Sequence, residues 1–204
     1  MPRPREFDET AALEAAMECF WRRGYEATSL RDLTASMGLT APSLYNAFGD
    51  KQELFSRALE RYLDRTTRNR LRRLEQSLAP KAALHRFFAE IIEHSISDRQ
   101  RKGCFLVNSA LEIAPHDAEC RAVITEQFND IEAFFRRCIL KAQADETISS
   151  DVDVDAGDMA RLLLGVLLGV RVLARTKPER AVMEGVVRPA LAMLKPPRKG
   201  KAKR

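Results

Sequence analysis

Between Thr40 and Lys51 lie side chains suited to reading a polar edge rather than to breaking bonds. Asn46 carries an amide that donates and accepts at once, which matches the exposed edge of an adenine. The hydroxyls of Thr40 and Ser43 are less selective partners, and Ala41 can meet a thymine methyl. Tyr45 and Thr28 suit phosphate oxygens, contacts that fix register without reading sequence. Lys51 is more specific. A cation at a helix N-terminus is unfavourable alone, yet a phosphate there is welcomed by the N–H groups and the ammonium together. A second chemistry centres on Cys104, which follows Arg101, Lys102 and Gly103 at an expected helix start. Positive potential there favours the thiolate, a sensor of electrophiles or oxidants; the competing reading is a small buried residue. His116 and Cys120 lie four apart and share a helix face, but two donors without carboxylate or thiol company do not make a metal site. Nothing in the chain implies a bound cofactor.

These residues need elements to hold them. Thr28 or Ser29 can cap a helix whose Leu30, Leu33 and Met37 recur at spacings of three and four. Gly38 tolerates the left-handed geometry that stops it. Thr40 can cap the next helix, and Pro42 is tolerated in its first turn, where its missing N–H has no partner anyway. Two short helices joined by a tight turn are the layout of a helix-turn-helix, whose second helix enters the DNA major groove. Ser29, Thr40, Ala41, Pro42, Ser43 and Asn46 then fall on or beside the reading surface.

Residues 10–55 resemble the DNA-binding domain of the TetR family of bacterial transcription repressors. The resemblance rests on Phe20, Gly24 and Tyr25, then Thr28-Ser29, then Met37-Gly38-Leu39, then Ser43-Leu44-Tyr45, Phe48 and Asp50 to Leu54 in that order. Asn46-Ala47 stand where the family often carries larger polar or aromatic residues, which bears on the operator sequence rather than on the motif.

The rest of the chain reads as helices. Its 204 residues are 45% hydrophobic with only nine Gly and nine Pro. Thr10–Arg23 forms a first helix, with Leu13, Ala16, Met17 and Phe20 inward. A long helix runs from Asp50 to Ser77, about 40 Å at 1.5 Å per residue. Helices at Lys81–Ser97, Gly103–Ile113 and Asp117–Ala144 follow, then an acidic loop from Asp145, then a pair at Ala156–Thr176 and Pro178–Leu194. In the third of these, Ile124, Phe128, Ile131, Phe135 and Ile139 trace an apolar stripe. The expected fold is all-α: an N-terminal three-helix head over residues 1–50 and a helical bundle over 51–194, its first helix linking the two. Residues 195–204 hold six basic groups and no acid, more than the whole chain's +5, so the remainder is not a polycation. That tail reads as disordered, with contact to DNA phosphate as the alternative. Leu162–Leu173 is apolar, but Arg161, Arg171 and Arg175 bracket or interrupt it, short of the ~20 residues that span a bilayer. With no CxxC spacing among Cys19, Cys104, Cys120 and Cys138 and a polar start, the chain reads as cytoplasmic with reduced thiols and no membrane partner.

Three further expectations concern the bundle. Phe88, Ile92, Val107, Leu111, Phe128, Ile131 and Phe135 suit the apolar wall of a ligand cavity, with Asn108 a polar anchor and Cys104 beside them. Gly165, Gly169 and Val172 give a flat strip for close helix approach, and Val182, Val186 and Leu191 can face it; the alternative is packing within one chain. The family resemblance implies a homodimer through the last two helices, a small-molecule effector and a palindromic double-stranded operator. The leading reading is therefore a ligand-responsive repressor. A thiol-based enzyme around Cys104 and an effector-independent DNA binder are the alternatives.

Overall fold

The computed structural model describes residues 7–149 and 155–196. Among them every regular element is helical: α1 (Glu9–Arg23), α2 (Leu30–Met37), α3 (Ala41–Phe48), α4 (Lys51–Leu63), α5 (Asn69–Ser77), α6 (Pro80–Ser97), α7 (Phe105–Glu112), α8 (Ala118–Ala144), α9 (Ala156–Thr176) and α10 (Arg180–Ala192). The basic tail beyond Pro196 and the centre of the acidic loop lie outside the described residues. The helix expected to run unbroken from Asp50 to Ser77 is interrupted by a π-helical turn at Asp64–Arg68. Within it the Thr66 hydroxyl donates to the Tyr62 carbonyl at 2.7 Å.

Packing divides the chain into two units. The first comprises residues up to Arg68 together with Cys104–Ile124; the second comprises Asn69–Gly103 and the chain from Thr125 onward. The boundary falls in the π turn and again inside α8, so the head takes in more than residues 1–50. The reason is aromatic. Phe55 of α4 meets Phe20 and Tyr25 edge-on, each with ring centroids 5.1 Å away, and Phe105 of α7 at 5.4 Å. Tyr62 meets Trp21 at 5.0 Å and Phe105 at 5.6 Å. Such edge-to-face pairs add to the burial of large rings. Outside this core, Arg61 pairs with Glu14 at 2.7 Å and Arg57 with Glu9 at 2.5 Å, holding α4 to α1.

The second unit is built on α6. Its Phe87 and Phe88 join Phe134 and Phe135 of α8, with Phe88 stacked on Phe135 at 5.6 Å. Helices α9 and α10 pack on each other and on α6. Arg70 and Arg73 of α5 both reach Glu90 of α6, at 3.3 and 2.6 Å, and Arg137 of α8 reaches Glu75 at 2.8 Å. The arginines that make the end of the long helix polar are thus largely engaged in ion pairs.

Candidate functional site

The first site is the α2–α3 pair. Ser29 is the N-cap of α2, and a capping box with Asp32 closes it: the Ser29 hydroxyl accepts from Asp32 N–H, and the Asp32 carboxylate accepts from Ser29 N–H at 3.0 Å. Gly38 ends α2 at φ 67°, ψ 29°, where a side chain would be strained. Thr40 caps α3, and its hydroxyl shares a 2.9 Å hydrogen bond with that of Ser43. Leu44 and Phe48 bury one face of α3 while Tyr45 and Asn46 are exposed on the other. Thr40 and Pro42 are also exposed, with Ala41 and Ser43 half-buried, so the expected reading residues share an accessible edge.

One expectation for this surface changes and one gains a detail. Thr28 is fully buried, and its hydroxyl donates to the Gly24 carbonyl at 2.5 Å. It locks the approach to α2 from inside and presents nothing to a phosphate. Lys51 does stand at the start of α4, in a helix capped by Asp50 with Glu53. Its ammonium lies 4.3 Å from the centroid of the Tyr25 ring, a cation–π contact that fixes the charge at that place. Tyr25 was legible as a family feature but not as the seat of Lys51.

The candidate ligand residues divide between the units. Cys104, Val107, Asn108 and Leu111 belong to the first; Phe88, Ile92, Phe128, Ile131 and Phe135 to the second. Leu111 is 73% exposed and is not a cavity wall. Phe128 is only half-buried, because Gln127 takes the inward place on α8 in its stead. Phe88 and Ile92 line a groove of about 570 Å³ between α6 and α10, along with His85, Val187 and Leu191. Cys104 is buried at the start of α7, and the Tyr62 hydroxyl donates to its sulfur at 3.6 Å. Cys120 is buried as well, its thiol pKa raised by that burial, with the Ser56 hydroxyl 3.5 Å from its sulfur. Among the described residues no three potential donors gather to hold a metal.

Two polar residues that the sequence did not single out stand apart. Gln127 is fully buried, and among the described residues neither end of its amide has a hydrogen-bond partner. Arg171 of α9 is 6% exposed; its Nη1 donates to the Ser95 hydroxyl at 3.5 Å, and its Nε has no partner. The only signal in the sequence was a charge inside the apolar run of α9.

On the last helices, Gly165 and Val172 are exposed and Gly169 half-exposed, and a Cβ on either glycine would meet nothing within 4 Å. Leu162 continues the strip, at 41% exposure. Among the described residues neither glycine is therefore a point of close approach to another helix of its own chain. On α10, Val186 is exposed and Val182 half-buried, whereas Leu191 is buried against its own chain.

The chain matches the family described as bacterial regulatory proteins, tetR family, over residues 12–58, and the tetracyclin repressor-like C-terminal domain over residues 80–189. It belongs to the TetR family. It is 31% identical over 194 residues to the uncharacterized HTH-type transcriptional regulator YezE of Bacillus subtilis (strain 168), covering 95% of this chain and 100% of that one. With the HTH-type transcriptional repressor ComR of Escherichia coli (strain K12) it shares 32% identity over 174 residues, 85% of this chain and 82% of that one. Among solved structures it resembles a cysteine mutant of the TetR family transcriptional regulator CifR in complex with 26-base-pair double-strand operator DNA. The TM-score is 0.81 at 33% identity, over 93% of this chain and 97% of that one. The protein is thus a TetR-family DNA-binding transcriptional regulator rather than an enzyme, and no helix among its described residues is long and apolar enough to cross a membrane.

Proposed function

We propose that this TetR-family member is a dimeric repressor released from a palindromic operator by a small molecule. The observation that carries the DNA half is the accessible edge of α3, where Thr40, Ala41, Ser43 and Asn46 stand beside the anchored ammonium of Lys51. One head this small is insufficient for tight operator binding, and two heads on a two-fold axis read two half-sites. The open strip of Leu162, Gly165, Gly169 and Val172, with Val186 on the next helix, supplies a self-complementary face for the second copy. Repression rather than activation is supported by ComR, which is named a repressor. Release by an effector is supported by the buried amide of Gln127 and the buried Nε of Arg171, which have no partner among the described residues and which a bound molecule would satisfy. DNA and effector then oppose each other by preferring different states of one protein.

Selection from random duplexes tests the DNA half. The expected product is a palindrome bound by two chains. Lys51→Ala should weaken binding to all duplexes and lower the log–log salt slope by about one per head. Asn46→Ala should relax preference at one or two base pairs, each worth about 1–3 kcal/mol. An unchanged selection profile removes Asn46 from the reading set, and a Lys51 effect confined to one base position removes its phosphate role.

A further inference from the structure

A guanidinium in a protein interior stays charged and has five N–H donors to satisfy. Arg171 is such a group. Its Nη1 faces the Ser95 hydroxyl, which itself donates to the Ile91 carbonyl at 2.7 Å. Among the described residues the buried Nε has no hydrogen-bond partner, and no carboxylate pairs with the guanidinium. The Nε–Nη2 edge is the side of the fork that a carboxylate engages with two parallel hydrogen bonds.

The surroundings add charge of the same sign. His94, one residue before Ser95, has its pKa lowered first by the protein packed around its ring, although part of the residue reaches solvent, and then by Arg171, Arg70 and Lys102. Asp98 acts against them on the same imidazole, but its carboxylate already accepts from the Gly103 N–H at 2.9 Å. Arg70 is itself paired with Glu90 at 3.3 Å, so the uncompensated charge beside Ser95 is that of Arg171. A buried charge is costly unless it is paired and hydrogen-bonded, and an anion completes a guanidinium that has no carboxylate of its own.

We propose that Arg171 is the counter-charge of an anionic effector, a small molecule whose carboxylate or similar oxyanion docks on the Nε–Nη2 edge beside Ser95. The proposal deepens the effector reading above and rests on it. It assigns that effector a chemical class, and it makes Arg171 a specificity residue, since a fork built for two oxygens rejects an uncharged analogue of equal shape.

The test uses the full-length protein and matched pairs of probes at constant ionic strength: butanoate, octanoate and benzoate, each against its primary amide, with inorganic phosphate alongside. Melting temperature and titration calorimetry report binding, and a labelled operator duplex reports release. At least one anion should raise the melting temperature and bind tenfold or more tightly than its uncharged counterpart. Arg171→Met should keep its helical signal and a free-state melting temperature no lower than the parent's, because it removes an unpaired charge, and should lose the preference for the anion. Arg171→Lys, which keeps the charge but not the fork, should retain only part of it and serves if the methionine variant does not fold. Anions and amides binding alike, or no anion binding, overturns the proposal. So does an Arg171→Met protein that fails to dimerise while wild type ignores every anion, for the counter-charge is then an acid of a second copy. Anion binding without operator release leaves the Arg171 site standing and removes the effector reading; release by uncharged molecules alone does the reverse.

Discussion

The two units of the chain treat buried polarity in opposite ways. In the first, Thr28 is sealed inside and bonded to Gly24, and Ser109 donates to the Phe105 carbonyl at 2.8 Å. Among the described residues, the buried side-chain nitrogens and oxygens with no partner are those of Gln127 and Arg171, both in the second unit. An unmet buried polar group costs about 1–3 kcal/mol. A surface that reads base edges needs its side chains held in fixed places, and capping boxes at Ser29 and Asp50 with a shared aromatic core supply that. A site that answers to a ligand has reason to keep polarity unspent, since the ligand then contributes what the protein lacks.

The contrast breaks first at the aromatic core. Phe55→Ala empties the position where the rings of Phe20, Tyr25 and Phe105 meet. It should cost about 3–5 kcal/mol in chemical denaturation. A loss under about 1 kcal/mol would show the first unit to be no tighter than the second. The next effect lies on the open strip. Gly165→Leu with Gly169→Leu should abolish the dimer in sedimentation at micromolar concentration while leaving helical content intact, since a Cβ at either position meets nothing within 4 Å among the described residues. Overpacking at a contact costs about 1–3 kcal/mol per site, and an undiminished dimer would move the interface elsewhere.

Gln127→Leu sharpens the comparison from the other side. It replaces an unsatisfied amide with an apolar group of similar size, so the ligand-free protein should gain about 1 kcal/mol. A loss of stability would mean that the amide is paired in solution. The smallest effect is at His94. Its pKa is lowered by its packed surroundings and by Arg171, Arg70 and Lys102, with Asp98 opposing. The unfolded chain therefore takes up a proton at higher pH than the folded one. Stability from this group is fully present above the ordinary histidine value of about 6.5 and declines as pH falls from there through the folded value. Arg171→Met should move the imidazole back up in an NMR titration. No movement would place Arg171 too far away to act on it.

Much of this was legible in the sequence. The α2–α3 turn, its Thr40 cap and the helix over Ala156–Thr176 follow from spacing and capping chemistry, which act within a few residues. What was not legible depends on contacts distant in sequence. Thr28 and Ser29 are equally good caps on paper, and only the burial of Thr28 against Gly24 decides between them. Leu111 has the type of a core residue, yet α7 turns it outward while Phe105 enters the core of the first unit. On α8 an apolar count selects Phe128, and no periodicity predicts that Gln127 occupies the inward position. The same blindness hid Arg171, which reads as an interruption of an apolar helix.

The π turn at Asp64–Arg68 corrects a drift in the spacing of buried residues. Among the buried positions of α4, the π turn and α5 is the series Leu59, Leu63, Thr67, Leu71 and Leu74, spaced four, four, four and three. In an unbroken α-helix each step of four overshoots the face by about 40°, so three in succession would carry Leu71 well away from it. An i→i+5 turn accommodates one residue more than an α-turn and so absorbs the drift. With Arg65 or Thr66 deleted, the spacing becomes four, three, four and three, the alternation of a plain helix, and the same leucines keep their face. The turn therefore holds one residue more than a plain α-helix needs, and deleting Arg65 or Thr66 should leave straight α-helix in its place.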